Sequence, residues 1–162
     1  MQSNAYTLDR SLACELFRGF HFDLFGTAFN ALATNYPCGT SYVRRTLSAL
    51  PPAPSLCVAI PPWSHLLSLL HEVQGDLPAQ VALVVPFWPA QPWFPLLQSL
   101  PPGRVWFLPG RPWRAPSHSR QRPWRALLVL AGRWPTPSPY FQRLRRLGCK
   151  PLEIIDSYNV RG

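Results

Sequence analysis

Proline is the residue that most limits how this chain can fold, because 21 of its 162 residues are proline. Proteins usually contain ~5% proline. Proline donates no backbone hydrogen bond and does not continue a helix, so prolines at this density interrupt every long apolar run. We therefore expect few, short helices, strands that end abruptly, and proline-rich loops between them.

Apolar runs still predict a regular set of strands and helices. Hydrophobic residues make up 47% of the chain, which is enough for the core of one domain. Short runs without polar alternation are typical of strands covered on both faces. The predicted strands are 21–25, 55–60, 80–85, 104–108 and 126–130. The first predicted helix starts at Thr7 or Asp9 and ends near Arg18. Three further helices are predicted at 64–73, 92–100 and 140–147.

The alternation of strands and helices predicts an α/β fold with a mostly parallel sheet. Ligands of such folds bind beyond the carboxyl ends of the strands. The most distinctive stretches of the chain follow the predicted strands. They are Phe25-Gly26, Pro61-Pro62-Trp63, Pro86-Phe87-Trp88 and Pro109-Gly110-Arg111. We therefore expect a functional site where these stretches meet.

The charge of the chain is strongly positive and unevenly distributed. The net charge is +9, and no Asp or Glu occurs from Leu77 to Leu152. A half of the chain that carries only positive charges indicates a polyanionic partner, and nucleic acid is the default candidate. The alternative is a coding bias that enriches the chain in arginine and proline. The stretch 111–125 is the best candidate for phosphate contacts, against a solvated basic loop. Its arginines are Arg111, Arg114, Arg120, Arg122 and Arg125.

Several other classes of protein are not expected. The four cysteines, Cys14, Cys38, Cys57 and Cys149, have no metal-ligand spacing, so we expect buried thiols and no zinc site. Residues 1–10 are polar and predict no signal peptide. The chain has no uninterrupted apolar run of about 18 residues, so it predicts no membrane span. These observations favour an intracellular protein.

Five stretches resemble one family in the same order along the chain. They are Phe22-Asp23-Leu24-Phe25 with Asn30-Ala31, then Ala59-Ile60-Pro61-Pro62-Trp63-Ser64, then Val84-Val85-Pro86-Phe87-Trp88-Pro89-Ala90-Gln91-Pro92-Trp93-Phe94, then Val105-Trp106-Phe107-Leu108-Pro109-Gly110-Arg111, and Pro123-Trp124-Arg125-Ala126-Leu127-Leu128-Val129-Leu130. From about Leu8 to Arg133 the chain thus resembles Dam-type adenine-specific DNA methyltransferase domains. It is most similar to those of DIRS-type retroelements.

The resemblance implies a Rossmann-like methyltransferase fold with a mostly parallel sheet, short helices and Pro-rich loops. It divides the chain into a loose lead at 1–7, a methyltransferase-like domain at 8–134 and a basic C-terminal extension at 135–162. It also implies a retrotransposon polyprotein in which reverse transcriptase and RNase H domains are adjacent. Nucleic acid is the expected partner.

Ile60-Pro61-Pro62-Trp63 is similar to the family's catalytic loop, Asn-Pro-Pro-aromatic. In the family, an Asn or Asp oxygen and a proline carbonyl accept hydrogen bonds from the adenine amino group, and the aromatic ring stacks on the flipped base. Trp63 can stack and Pro61 keeps its carbonyl, but Ile60 has no acceptor. Loss of one preorganised polar group costs about a hundred- to a thousandfold in rate. The resemblance therefore predicts a degenerate loop.

The resemblance also implies residues that face S-adenosylmethionine, the methyl donor of the family. These residues are Asp23 and Phe25, at the end of the predicted first strand, and Asn30, after it; in the family this strand ends near the donor. Asp23 either contacts this cofactor or orients a loop. The absence of a glycine-rich phosphate loop is consistent with a sulfonium cofactor, which has no phosphate. The resemblance thus gives S-adenosylmethionine as the candidate cofactor, with its binding in doubt.

Tryptophans interleave with arginines in the second half of the chain, a pattern that suits stacking on unpaired bases. We expect Trp88, Trp93 and Trp106 to pack in the core, while Trp113 and Trp124 remain open between packing and stacking. The predicted function is a degenerate methyltransferase-like domain that binds nucleic acid or acts as a scaffold. The alternatives are an active adenine DNA methyltransferase and a non-functional polyprotein fragment.

Overall fold

The computed structural model describes residues 6–25, 32–33, 56–114 and 123–153. Its strands are β1 (Thr7–Leu8), β2 (Phe22–Asp23), β3 (Leu56–Ala59), β4 (Gln80–Pro86), β5 (Val105–Phe107), β6 (Trp113–Arg114), β7 (Ala126–Gly132) and β8 (Lys150–Pro151). Its helices are α1 (Arg10–Leu16), α2 (Leu66–Glu72), α3 (Phe94–Gln98) and α4 (Pro139–Arg146), and a 3₁₀ turn, Trp63–His65, precedes α2.

Six strands form one mixed sheet in the order β2-β3-β4-β7-β5-β8. Strands β2, β3 and β4 pair in parallel, whereas the β4–β7, β5–β7 and β5–β8 pairs are antiparallel. The prediction of a mostly parallel sheet was therefore wrong, although the α/β class is confirmed. An apolar run indicates that a strand is buried but not which way it runs, and β7 runs back between β4 and β5.

Both faces of the sheet are covered, as the continuous apolar runs predicted. Along β4, Val81 and Leu83 face one core with α2 and α3. Ala82 and Val84 face a second core with α1 and α4. The fold therefore has a layer of helices on each side of the sheet.

The helices are short because their boundaries are set locally. Asp9 caps α1, and its Oδ2 atom accepts the Leu12 N–H bond at 3.1 Å. Ser138 caps α4 by accepting the Tyr140 N–H bond, and Pro139 fills the first helical position. The helices contain 7, 7, 5 and 8 residues, which confirms the expectation from the proline content.

Segments assigned from sequence to the ends of the chain also contribute to this fold. Thr7–Leu8, at the border of the predicted lead, pairs with Trp113–Arg114, which lies inside a stretch predicted to be a loop. In the predicted C-terminal extension, α4 buries Leu144 in the second core, and β8 joins the six-stranded sheet. The described part of the extension is thus packed against the rest of the fold.

Candidate functional site

One edge of the sheet collects the stretches singled out by sequence. Strands β2, β3, β4 and β5 run in the same direction, since β7 is antiparallel to both β4 and β5. Their carboxyl ends therefore lie at one edge, where β7 begins. The Phe87 N–H group donates to the Arg125 carbonyl oxygen at 2.8 Å, so the end of β4 and the start of β7 are adjacent. We call this the carboxyl edge.

The Ile60-Pro61-Pro62-Trp63 loop lies at the carboxyl edge immediately after β3. Ile60 is half-buried and packs against the second core, and Pro61 is buried. The Pro62 carbonyl oxygen accepts the His65 N–H bond at 2.9 Å and so belongs to the 3₁₀ turn. Within the described part of the chain, no hydrogen bond engages the Pro61 carbonyl. The loop geometry thus keeps one acceptor, and the Ile60 side chain contributes only packing.

Trp63 lies at the centre of a group of rings, the aromatic cluster, formed by Tyr6, Trp63, Trp88, Trp113 and Trp124. Trp63 stacks on Tyr6, with ring centroids 4.5 Å apart and an interplanar angle of 12°. It meets Trp88 at 4.5 Å, Trp124 at 5.6 Å and Trp113 at 5.9 Å, each nearly perpendicular. Each such pair contributes about 0.5–1.5 kcal/mol beyond its buried area. The cluster therefore packs as one group of rings around Trp63 at the carboxyl edge.

The members of the aromatic cluster differ in exposure. Trp113 is fully buried, and its Nε1–H group donates to the Arg125 carbonyl oxygen at 3.3 Å. Tyr6, Trp63, Trp88 and Trp124 are half-buried and reach the surface. Trp88 was expected to pack, and it does pack against the first core while remaining partly exposed in this cluster. Trp93 and Trp106, which also were expected to pack, are buried. Trp124 is half-buried, with its ring against those of Tyr6, Trp63 and Trp88.

Tyr6 is tethered by the segment that follows it. Thr7–Leu8 forms the two-residue pairing with Trp113–Arg114. The Asp9 N–H group donates to the Pro112 carbonyl oxygen at 2.8 Å. Leu8 is buried in the second core. The start of the described chain is thus fastened beside the Ile60-Pro61-Pro62-Trp63 loop.

The predicted phosphate-binding arginines divide into three groups. Arg111 is exposed at the carboxyl edge. Arg114 forms an ion pair with Asp9, at 3.3 Å between Nη2 and Oδ1. The Arg125 guanidinium lies 4.3 Å above the Phe107 ring and donates to the Leu108 carbonyl oxygen. Arg120 and Arg122 lie outside the described residues. The carboxyl edge therefore holds three of the five arginines, and Arg114 and Arg125 are sequence neighbours of Trp113 and Trp124 of the aromatic cluster.

The predicted cofactor residues lie at the end of β2. Asp23 is buried, and its Oδ1 accepts the Phe25 N–H bond at 3.3 Å, while Oδ2 accepts the Leu32 N–H bond at 2.9 Å. Phe25 is half-buried and meets the His65 ring edge-on at 6.0 Å. Asn30 lies outside the described residues. Asp23 as placed orients its own loop, since each of its oxygens accepts a hydrogen bond from a backbone amide of that loop.

Other chemistry has little support at this edge or elsewhere in the described ranges. They contain no group of three or more His, Cys, Asp or Glu residues that could hold a metal ion. No helix among them is long and apolar enough to cross a membrane. Cys14 is exposed, contrary to expectation, while burial raises the pKa of Cys57 and Cys149 to about 11. Both buried thiols are therefore protonated and unreactive at neutral pH.

The chain was compared with protein families, curated proteins and solved structures. No protein-family model, curated protein or solved structure matches the chain. Inference about function therefore rests on the residues themselves.

Sequence reasoning missed two residues that shape the site, Tyr6 and Asp9. Tyr6 was assigned to the lead, and Asp9 was considered only as a helix cap. The short alternation of Thr7 and Leu8 was the available signal for a strand there. The pairing of Thr7–Leu8 with Trp113–Arg114 could not be predicted from a local pattern, because the two segments are far apart in sequence: Asp9 and Arg114 are separated by 105 positions.

Proposed function

We propose that this chain is a nucleic-acid-binding module derived from a retroelement methyltransferase-like domain that no longer methylates adenine. The observation that carries the proposal is the half-exposed aromatic cluster at the carboxyl edge, adjacent to Arg111, Arg114 and Arg125. Aromatic rings that stack on bases, combined with cations that track phosphates, are the usual means of binding unpaired nucleic acid.

The Ile60 position supports loss of catalysis. A half-buried aliphatic side chain that packs against the second core offers no acceptor to an adenine amino group. An amino group left without a partner in a dry site is penalised in binding as well as in reaction. Asp23 supports the same conclusion, because its carboxylate is occupied by the backbone amides of its own loop.

Binding of a fluorescent single-stranded oligonucleotide, measured by anisotropy over a range of salt concentrations, tests the proposal. We expect affinity to fall with salt, with a logarithmic slope of about −0.7 for each phosphate contacted. Trp124→Ala should weaken binding by about 1–3 kcal/mol, the usual contribution of one stacked base.

The opposite edge of the sheet supplies a matched control for charge. Arg111 is exposed at the carboxyl edge, and Arg133 is exposed just after β7 ends, at the other edge. Arg111→Ala should reduce the salt slope by about 0.7, while Arg133→Ala should leave it unchanged. Equal effects of the two substitutions would indicate unspecific attraction by net charge and would contradict a site at the carboxyl edge.

Calorimetry with S-adenosylmethionine and a methylation assay on adenine-containing DNA test the loss of activity. Micromolar cofactor binding together with methyl transfer would overturn the proposal in favour of an active enzyme. Ile60→Asn restores the missing acceptor, and appearance of methylation in this variant would show that only this position had decayed. Absence of nucleic-acid binding in every assay would instead indicate a non-functional polyprotein fragment.

A further inference from the structure

We propose that segment 6–9 of this chain is a built-in competitor of nucleic acid, in which Tyr6 covers the stacking face of Trp63 and Asp9 neutralises Arg114. The inference rests on the proposed function. It adds that the site is partly closed by the protein itself, and that a nucleic-acid strand must displace both side chains to bind fully.

The first observation is the ring-on-ring contact. Tyr6 lies nearly parallel to Trp63, with a centroid distance of 4.5 Å, which is the arrangement that a stacked base adopts. Trp88, Trp113 and Trp124 meet Trp63 nearly at right angles, so Tyr6 is the ring of the cluster that stacks on it. A base and Tyr6 cannot occupy the same face of Trp63. Binding at this face therefore requires movement of the Tyr6 side chain.

The second observation is the ion pair three residues further on. The Asp9 carboxylate lies 3.3 Å from the Arg114 guanidinium, and the two side chains are 33% and 36% exposed. An ion pair this open to solvent contributes little to stability. A phosphate offers the same guanidinium more acceptors than one carboxylate oxygen. Phosphate can therefore replace Asp9 at Arg114 without loss of a strong internal contact.

The Tyr6 ring and the Asp9 carboxylate lie on one short segment, and the buried Leu8 between them anchors that segment to the core. Leu8 is buried in the second core, and Asp9 also caps α1 through its other oxygen. The Tyr6 side chain lies before this anchor and is half-buried. Tyr6 can therefore leave Trp63, and Arg114 can leave Asp9, while β1 and α1 stay in place. The segment presents an aromatic ring and an anion, the two groups that a nucleotide would offer.

The test compares single-stranded oligonucleotide binding by wild type, Tyr6→Ala and Tyr6→Phe in the full chain. Removal of the competing ring should tighten binding about two- to tenfold, which is the change in affinity that corresponds to the interaction free energy of one aromatic pair. Tyr6→Phe keeps the ring and should bind like wild type. Unchanged or weaker binding by Tyr6→Ala would overturn the inference, because Tyr6 would then be a neutral residue or part of the binding surface.

A second pair of variants tests the anion independently of the ring. Asp9→Asn keeps a good helix cap but removes the charge that faces Arg114. It should steepen the salt slope by about 0.7, the contribution of one more phosphate contact on a single strand. Glu15→Gln is the matched control, since Glu15 is an exposed carboxylate on the same helix paired with Arg18. Equal slopes for the two variants would overturn the role of Asp9.

These outcomes separate the inference from the proposed function. If no variant binds any oligonucleotide, the proposed function fails and the inference fails with it. If wild type binds with the expected salt dependence but Tyr6→Ala and Asp9→Asn show no gain, the site stands and the competing segment does not. Thermal unfolding of each variant verifies that the fold is retained, and Asp9→Asn provides the test if Tyr6→Ala unfolds.

Discussion

Asp23 is the residue whose substitution best separates a structural role from contact with a cofactor. It is 4% exposed, and its oxygens accept N–H bonds from Phe25 at 3.3 Å and from Leu32 at 2.9 Å. A hydrogen bond to a charged group contributes about 1.5–3 kcal/mol, and the longer bond belongs at the lower limit. Asp23→Ala should therefore lower the free energy of unfolding by about 3–4 kcal/mol.

Two further variants calibrate this value. Asp23→Asn keeps one acceptor oxygen but places an amide nitrogen against one of the two backbone N–H groups. We therefore expect about half of the loss in free energy of unfolding that Asp23→Ala causes. Asp76→Ala is the control, because its carboxylate is 79% exposed and pairs with Arg133, which is 61% exposed. Its substitution should change the free energy of unfolding by no more than about 0.5 kcal/mol. Urea unfolding followed by tryptophan fluorescence measures all three.

A loss of less than about 1 kcal/mol in Asp23→Ala would refute the argument that Asp23 holds its loop. If the same variant also abolished a calorimetric signal with S-adenosylmethionine that wild type gives, Asp23 would be a cofactor contact after all. A loss of the expected size, with no cofactor signal in either protein, agrees with the loop-orienting role.

Two other predictions concern the stability of the fold. Gly132 has φ +91°, and a Cβ there would lie 1.8 Å from the Ala79 carbonyl oxygen, whereas Gly19, at φ +86°, faces open space. Gly132→Ala should thus cost about 3 kcal/mol or more and Gly19→Ala about 1 kcal/mol in urea unfolding; equal costs would contradict the clash. Burial raises the pKa of Cys57 and Cys149 to about 11 from 9.0, so above pH 9 the unfolded chain holds fewer protons than the folded one. The free energy of unfolding should then fall between pH 9 and 11, by up to about 1.4 kcal/mol per pH unit for each thiol, and less steeply in Cys57→Ala/Cys149→Ala; an unchanged slope in that variant would show that other groups are responsible.

Local features of the sequence determined where most helices and strands lie. The apolar runs at 55–60, 80–85 and 126–130 became β3, β4 and β7 within two residues at each end. The Asp9 cap and the proline positions set the limits of the short helices, because capping and proline geometry act within one turn. Sequence also identified the stretches that meet at the carboxyl edge, since strand ends follow from strand positions.

Tertiary structure alone decided the direction of β7 and the partners of the site residues. A buried run has the same composition whichever way it runs, so the antiparallel pairings could not be predicted from it. Arg114 was a candidate phosphate contact from sequence and is paired with Asp9, and Trp63 was expected to be able to stack on a base and is covered by Tyr6. Both contacts join the start of the chain to residues far along it, and such approach depends on the packing of the whole domain.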